Sequence, residues 1–365
     1  MSKTLSEISA IGTSIWLDDL SRERMVAGGK ARSLSELISN EYVVGVTTNP
    51  AIFSASISNS SLYHEEITQL SRTGADAEAI ITALTTADVR NACDLFMPVH
   101  ESSNGVDGRV SIEVDPRFAR DTAATIAQAH ELWSIVNRPN LLIKVPATIE
   151  GLPAIRKLIS DGISVNVTII FSVARYQEVL EAFISGLEDR RAKGLPLDGI
   201  HSVASFFISR VDTELDPRLK AQGHTDFLGR AAIANARLAY QHFLSVKKSP
   251  RWQRLDSLSA NIQRPLWAST GVKDPSYDPT MYVLKLVAPD TVNTMPEATL
   301  SAVRDSQLFE GESITPYFGD AEKTIDSLST LGIAMNDVAT KLESEGIDKF
   351  IKPWLQLIET VNQAK

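Results

Sequence analysis

One lysine stands inside an otherwise apolar segment, where its amine could do covalent chemistry. Lys144 follows Leu141-Leu142-Ile143 and precedes Val145-Pro146. A lysine in water has a pKa of about 10.4 and is protonated, but burial lowers that pKa and frees the amine to attack a carbonyl. The product is a Schiff base, whose cationic nitrogen draws electrons from an adjacent carbon–carbon bond that breaks or forms. Lys144 is therefore a candidate nucleophile.

Other polar residues stand at or just beyond the carboxyl ends of similar apolar segments. Asp18 and Glu113 each follow one of them. Side chains alternate between the two faces of a strand, so Lys144 lies opposite Ile143 and Val145. The same alternation predicts that five more side chains point into the barrel: Asn166, Thr168, Ser205, Phe207 and Ser269. Trp16 shares the inward phase of Asp18, and Trp267 shares that of Ser269.

Eight short apolar segments, each followed by a longer stretch with helical spacing, would position these residues. The segments are 14–18, 43–47, 109–113, 141–145, 163–168, 202–207, 265–269 and 290–294. Strand then helix, eight times over, is the pattern of a closed (β/α)8 TIM barrel in the α/β class. The active site of this fold lies at the carboxyl ends of its strands. The polar strand ends therefore predict one shared pocket.

The segments between the strands predict amphipathic helices and two long excursions. Residues 118–136 form one such helix, with Asp115 as N-cap and Pro116 at its first position, and residues 173–191 form another. The connections 48–108 and 208–263 are too long for simple crossovers, so we expect helical excursions there. The chain is helical again from about residue 296, and residues 350–361 should pack against the barrel or arch over its mouth. A single domain of residues 1–365 is expected.

The composition excludes several classes of function. Hydrophobic residues make up 43% and charged residues 22%, as in a globular protein with a substantial core. The net charge of -9 disfavours binding to nucleic acid. Neither a signal segment nor 18 consecutive apolar residues is present, so we expect a cytoplasmic protein without a membrane partner.

No cofactor or metal ion is predicted. Cys93 is the sole cysteine, which rules out an intrachain disulfide and a cysteine-based metal cluster. The chain has no GxxxxGK[ST] or GxGxxG sequence for nucleotide phosphates, and no HExxH pair for zinc.

A structural ion pair is the simpler interpretation of the buried charges. Lysines and acids are seldom buried unless they are paired, so an ion pair of Lys144 with Glu113 or Asp18 could be purely structural. Such a pair does not require Asn166 and Ser205 on the same rim, however. The convergence of these strand ends favours an active site.

Six segments of the chain resemble the transaldolases, a family of Schiff-base enzymes. They are Trp16-Leu17-Asp18, Thr47-Thr48-Asn49-Pro50, Val110-Ser111-Ile112-Glu113-Val114-Asp115, Leu142-Ile143-Lys144-Val145-Pro146, Asn166-Val167-Thr168-Ile169-Ile170-Phe171-Ser172 and Ser205-Phe206-Phe207-Ile208-Ser209-Arg210. Their order and spacing cover residues 14–305, and the extended C-terminal region is similar to the larger bacterial branch.

The resemblance implies a catalytic role for four residues. Lys144 would form the Schiff base, and Asp18 would be the acid and base that handles the substrate hydroxyl proton. Glu113 and Thr168 would hold the water used to form and hydrolyse the imine. No cofactor is implied.

The resemblance also implies that sugar phosphates bind at this mouth. A guanidinium fork suits a phosphate, so Arg210 would take part in binding it. Many relatives carry another arginine where this chain has Gly271, and Lys273 could supply that charge. Ser205 would also take part in binding the phosphate, and Asn49 and Asn166 would bind substrate hydroxyls. The other residues implied to bind the substrate are Phe207 and Ser269.

The implied reaction is the transaldolase step of the non-oxidative pentose phosphate pathway. A dihydroxyacetone unit passes from sedoheptulose 7-phosphate or fructose 6-phosphate to glyceraldehyde 3-phosphate or erythrose 4-phosphate. One alternative is simple cleavage, as in the shorter fructose-6-phosphate aldolases, which typically have Gln in place of Glu113 and Tyr in place of Phe207. Another is a non-catalytic sugar-phosphate-binding barrel, with Lys144 as an ionic anchor. The oligomeric state is expected to be a monomer or homodimer.

Overall fold

Eight parallel strands, paired in chain order, form the centre of the molecule. The computed structural model describes residues 2–26, 28 and 31–364, so both ends of the predicted 1–365 unit lie outside the described residues. The strands are β1 (Thr13–Leu17), β2 (Val43–Val46), β3 (Arg109–Glu113), β4 (Leu141–Pro146), β5 (Val165–Ile170), β6 (Ser202–Phe207), β7 (Arg264–Ala268) and β8 (Thr291–Met295). They close into a barrel in which β1 pairs with β8. The predicted TIM barrel is confirmed, and each predicted segment overlaps one strand.

Helices surround and extend the barrel. In the described part of the chain they are α1 (Lys3–Ile11), α2 (Leu34–Asn40), α3 (Pro50–Asn59), α4 (His64–Arg72), α5 (Ala77–Ser102), α6 (Thr122–Val136), α7 (Gly151–Asp161), α8 (Val173–Ala192), α9 (Ser209–Ala221), α10 (Ala231–Lys247), α11 (Pro250–Asp256), α12 (Met281–Leu284), α13 (Glu297–Asp305), α14 (Phe318–Thr330) and α15 (Met335–Ala364). Short 3-10 turns occur at Arg22–Met25, Ser61–Tyr63, Pro116–Phe118, Thr225–Phe227 and Thr315–Tyr317.

The long connections contain the helices that their periodicity predicts. The 48–108 segment contains α3, α4 and α5, and the 208–263 segment contains α9, α10 and α11. Helix α15 packs on α3, α5 and β5, and its Phe350 lines the cavity at the barrel mouth. The expected position of residues 350–361 is therefore correct. No helix in residues 2–26 or 31–364 has the length and apolar character needed to cross a membrane.

The predicted start of the 118–136 helix is wrong. Asp115 caps only the 3-10 turn Pro116–Phe118, where its carboxylate accepts a hydrogen bond from the Arg117 amide. Asp121 then adopts an extended conformation, with φ -127° and ψ 101°, which interrupts the helical path. Its side chain accepts from Ala124 N at 2.9 Å and begins α6. An aspartate–proline pair can start a turn, but the next extended residue decides whether that turn continues.

Inside the barrel, Trp16 occupies space that a glycine on the next strand leaves free. A Cβ atom added to Gly45 would lie only 2.5 Å from the Trp16 ring, so this inward position of β2 cannot carry a side chain. Trp16 is fully buried. The inward phase predicted for β1 therefore agrees with the packing, and Asp18 follows in the same phase.

The inward phase predicted for Trp267 is wrong. Trp267 is in register with Phe206, and the two rings meet edge to face with centroids 6.2 Å apart. Phe206 also packs on Tyr176 of α8, which places this layer outside the barrel. Ser269 still reaches the mouth, because it has a left-handed φ of 56° that breaks the strand alternation. Alternation therefore fails at the end of β7.

Candidate active site

The central group of the site is a buried lysine beside a buried carboxylate. Lys144 on β4 is in register with Glu113 on β3, and Nζ lies 3.2 Å from Oε2. Both side chains are almost fully buried, with exposed fractions of 5% and 4%. Lys144 Nζ also donates to the carbonyl of Thr48 at 2.9 Å. The lysine nitrogen is thus held in place at the carboxyl end of its strand.

A second carboxyl group reaches the site from β1. Asp18 directly follows that strand, and its Oδ1 accepts a hydrogen bond of 2.7 Å from the Thr47 hydroxyl. Burial raises the pKa of Asp18, although the Lys144 charge acts in the opposite direction. Burial likewise raises the pKa of Glu113 against the same charge. Two carboxyl groups that hold protons more readily than usual therefore flank one amine, as acid–base chemistry requires.

The neighbouring acid does not belong to the site. Asp19 turns away to Arg24, whose Nε donates to its Oδ2 at 2.8 Å. Arg24 also pairs with Glu297. Of the two adjacent aspartates, only Asp18 lines the cavity.

A buried polar network supports the inner wall. The Asn166 amide donates to Ser111 Oγ at 3.0 Å, and its oxygen accepts from Ser205 Oγ at 2.7 Å. Thr168, two residues along β5, is fully buried, and its Oγ1 has no hydrogen-bond partner among the described residues. The next residue, Ile169, has a φ of 57°, an uncommon conformation for a β-branched side chain that often marks functional sites.

The charged groups meet at a cavity of about 170 Å³ at the barrel mouth. Eight of the residues predicted for the site line it: Asp18, Asn49, Lys144, Ser205, Phe207, Arg210, Ser269 and Lys273. The other three, Glu113, Asn166 and Thr168, lie on the adjoining strands and are absent from its lining. Larger grooves of about 920 and 800 Å³ between outer helices contain none of the predicted residues. The buried Lys144, not the size of the cavity, therefore distinguishes the mouth.

The candidate phosphate groups lie on the β6 and β7 side. Arg210 lies in the first turn of α9, and its guanidinium lies 5.2 Å from the centre of the Phe207 ring. Burial lowers the pKa of Arg210, and its Nη1 has no partner in the described structure. Ser269 Oγ lies 3.0 Å from Ser209 Oγ, and Lys273 is exposed at the rim. This side of the mouth can receive an anion.

The lining also contains six residues that were not predicted for the site: Thr47, Ala268, Gly271, Thr294, Pro296 and Phe350. Thr47 and Thr294 have hydroxyls 2.6 Å apart beside Asp18. Thr47 lies in the Thr-Thr-Asn-Pro segment, which could have indicated it. Phe350 comes from α15, and no local sequence signal directs its ring to the mouth.

A TIM barrel with a lysine between carboxyl groups at its carboxyl end defines the class: an enzyme that can work through a Schiff base. The family model described as Transaldolase/Fructose-6-phosphate aldolase matches residues 15–361. A transaldolase from Mycolicibacterium smegmatis is 54% identical over 97% of this chain and 95% of its own length. One from Acidothermus cellulolyticus is 52% identical over 100% and 97%, and one from Mycobacterium tuberculosis is 53% identical over 97% and 95%. The chain belongs to the transaldolase/fructose-6-phosphate aldolase family, as its motifs predict.

Proposed function

We propose that this chain, a transaldolase by its family and relatives, transfers a dihydroxyacetone unit from a ketose phosphate to an aldose phosphate through a Schiff base on Lys144. The donors would be sedoheptulose 7-phosphate or fructose 6-phosphate, and the acceptors glyceraldehyde 3-phosphate or erythrose 4-phosphate. The observation that carries the proposal is the buried Lys144 nitrogen, which lies 3.2 Å from Glu113 in a cavity that Asp18 also lines.

The first step forms the imine. The neutral Lys144 amine attacks the ketose carbonyl, the resulting carbinolamine takes up a proton on its hydroxyl, and water leaves to give the iminium. We assign the handling of this water to Glu113 and Thr168. The raised pKa of Glu113 and the unpartnered hydroxyl of Thr168 support that assignment.

The second step breaks the carbon–carbon bond. Asp18 accepts the proton of the hydroxyl next to that bond, the hydroxyl carbon becomes an aldehyde, and the bonding electrons move to the iminium as an enamine. The released aldose phosphate leaves, and the acceptor aldehyde undergoes the reverse reaction with Asp18 returning the proton. Water then hydrolyses the new iminium and restores Lys144. The hydrogen bond from Thr47 supports this role, because it holds the carboxylate at the cavity.

We assign the substrate hydroxyls to Asn49 and Asn166, part of the phosphate binding to Ser205, and a wall of the cavity to Phe207. An amide nitrogen carries two donor hydrogens, and Asn166 uses one for Ser111, which leaves the other for a substrate. Asn49 has a further duty, because its side chain accepts from Ile52 N at 3.0 Å and caps α3.

The phosphate would bind between Arg210, Ser269 and Lys273. The unpartnered Nη1 of Arg210 supports this, since a buried guanidinium without an ionic partner suits an incoming anion. A cytoplasmic location and a monomeric or homodimeric state remain part of the proposal, and the acidic net charge and the single free cysteine, Cys93, support that location.

The related cleavage activity is the second candidate, because the family includes fructose-6-phosphate aldolases. Glu113 and Phe207 stand where those shorter enzymes typically have Gln and Tyr, and this favours transfer over release.

Borohydride trapping tests the proposal. Reduction of the iminium formed with fructose 6-phosphate should leave a stable secondary amine on Lys144, detected by peptide mass spectrometry. Lys144→Ala should give no adduct. An adduct on a different lysine, or none on the wild type, contradicts the proposal. Formation of sedoheptulose 7-phosphate when erythrose 4-phosphate is supplied separates transfer from cleavage.

A further inference from the structure

Arg210 carries a mostly buried charge that the rest of the protein does not neutralise directly. No carboxylate in residues 2–26 or 31–364 lies within 4.0 Å of its guanidinium, and Arg210 donates no hydrogen bond there. A buried cation without a close ionic partner normally needs some other group to hold it. Some other contact must therefore fix the position of the Arg210 side chain.

Two aromatic rings contact the guanidinium. Its central carbon lies 5.2 Å from the ring centre of Phe207 on β6 and 5.7 Å from that of Phe350 on α15. The face of an aromatic ring attracts a cation, most strongly where water is excluded. Such a contact also leaves the N–H donors free, whereas a carboxylate partner would occupy them. The two rings can therefore orient Arg210 without using the donors that a phosphate needs.

Helix α15 also lies close to Arg210 at a second point. Gly346 lies one turn before Phe350, and a Cβ atom built on it would lie 3.6 Å from Arg210 Nη1. The helix backbone thus approaches the nitrogen that lacks a partner. Phe350 itself is only 6% exposed, and its ring centre also lies 5.6 Å from Lys144 Nζ. One ring thus contacts both the candidate nucleophile and the candidate phosphate ligand.

We propose that Phe350 is a positioning residue for phosphorylated substrates: its ring holds the Arg210 guanidinium in the orientation that receives the phosphate. The inference rests on the proposed function, in which Arg210 binds that group. It gives the C-terminal helix a direct part in substrate selection, because a ligand without a phosphate gains little from a well-placed Arg210.

Borohydride trapping at Lys144 measures how Phe350 affects the binding of two ligands, one with a phosphate and one without. For wild type and Phe350→Leu, the half-saturating concentration is determined with fructose 6-phosphate and with dihydroxyacetone. Leucine fills much of the space but has no ring face. We expect the value for fructose 6-phosphate to rise about 10-fold in Phe350→Leu, the scale of a desolvated cation–π contact. The half-saturating concentration of dihydroxyacetone should rise by less than about 3-fold. Phe350→Tyr should restore binding of fructose 6-phosphate, because tyrosine keeps the ring face.

Leu357→Ala is the matched control. Leu357 is buried on the same helix but does not line the cavity, so its truncation loosens α15 without removing the ring. It should leave the ratio of the two half-saturating concentrations unchanged. Equal rises for both ligands in Phe350→Leu, no rise at all, or the same ratio change in Leu357→Ala would overturn the role of Phe350. Absence of trapping on Lys144 in the wild type would instead overturn the proposed function.

Discussion

The two ends of the barrel both contain buried or mostly buried charged side chains, but these side chains meet different surroundings. At the amino end, Arg264 donates to Ser14 Oγ at 2.8 Å and to Asp107 Oδ1 at 2.9 Å. Asp107 also accepts from Ser14 at 2.8 Å. Arg109 is 2% exposed and donates to the carbonyls of Gly105 and Pro139. None of these side chains has a buried polar atom without a partner in the described structure.

The carboxyl end differs in this respect. Glu113 Oε2, Thr168 Oγ1 and Arg210 Nη1 are buried there without an aligned hydrogen bond, although Glu113 lies close to Lys144. Leaving such atoms unmatched costs about 1–3 kcal/mol each, and more for charged groups. Unpartnered atoms also occur at the amino end, at Asn140 Oδ1 before β4 and Gln263 Oε1 before β7, but these two residues do not line the cavity. The comparison teaches that a buried charge alone does not identify a site, whereas unmatched polar atoms around a cavity do.

The largest contrast is expected from removing one cation at each end. Lys144→Met should abolish turnover and borohydride trapping while changing the free energy of unfolding little, because Glu113 has a raised pKa and can become neutral. Arg264→Met should retain turnover but lower stability by about 3–5 kcal/mol, since Asp107 loses its charged partner. For both variants, steady-state kinetics measure turnover and urea unfolding measures the free energy of unfolding. If Lys144→Met lost stability and Arg264→Met did not, the expected contrast between the two ends would be wrong.

Next in size is the effect of Asp18. Asp18→Asn keeps the shape of the side chain but cannot accept the substrate proton, so kcat should fall by roughly 10²-fold or more. Asp19→Asn is the matched control, because Asp19 pairs with Arg24 outside the cavity and its change should leave kcat nearly unaffected. A larger loss in the Asp19 variant would mean that the proton shuttle has been assigned to the wrong acid.

The smallest effects concern the phosphate ligands. Arg210→Ala should lower kcat/KM for fructose 6-phosphate by roughly 10- to 150-fold, since charge-assisted hydrogen bonds contribute about 1.5–3 kcal/mol each. Lys273→Ala should cost less, because its exposed ammonium is well hydrated. Both losses should shrink for dihydroxyacetone. Equal losses on both substrates would show that the two residues support the structure and that the phosphate binds elsewhere.

The barrel and most of its mouth could be predicted from the amino-acid sequence. Strand and helix periodicity are local properties, so eight apolar segments and the polar residues at their ends could be read without coordinates. The inward phase of Lys144 and Glu113 follows from alternation along a regular strand, and the structure places them side by side. The cap of α6 was predicted at the wrong residue, since the helix begins at Thr122 after Asp121 and not after Asp115.

The completion of the rim depends on contacts between parts of the chain that are distant in sequence. Alternation ends where the backbone leaves the strand conformation, so the left-handed Ser269 enters the cavity while Trp267 faces outward. The approach of Phe350 to Lys144 and Arg210 depends on the packing of a helix far along the chain. Among residues 2–26 and 31–364, the same packing places no carboxylate within 4.0 Å of the Arg210 guanidinium. These contacts join residues distant in sequence, and their geometry follows from shape and burial in the whole fold, which no local pattern contains.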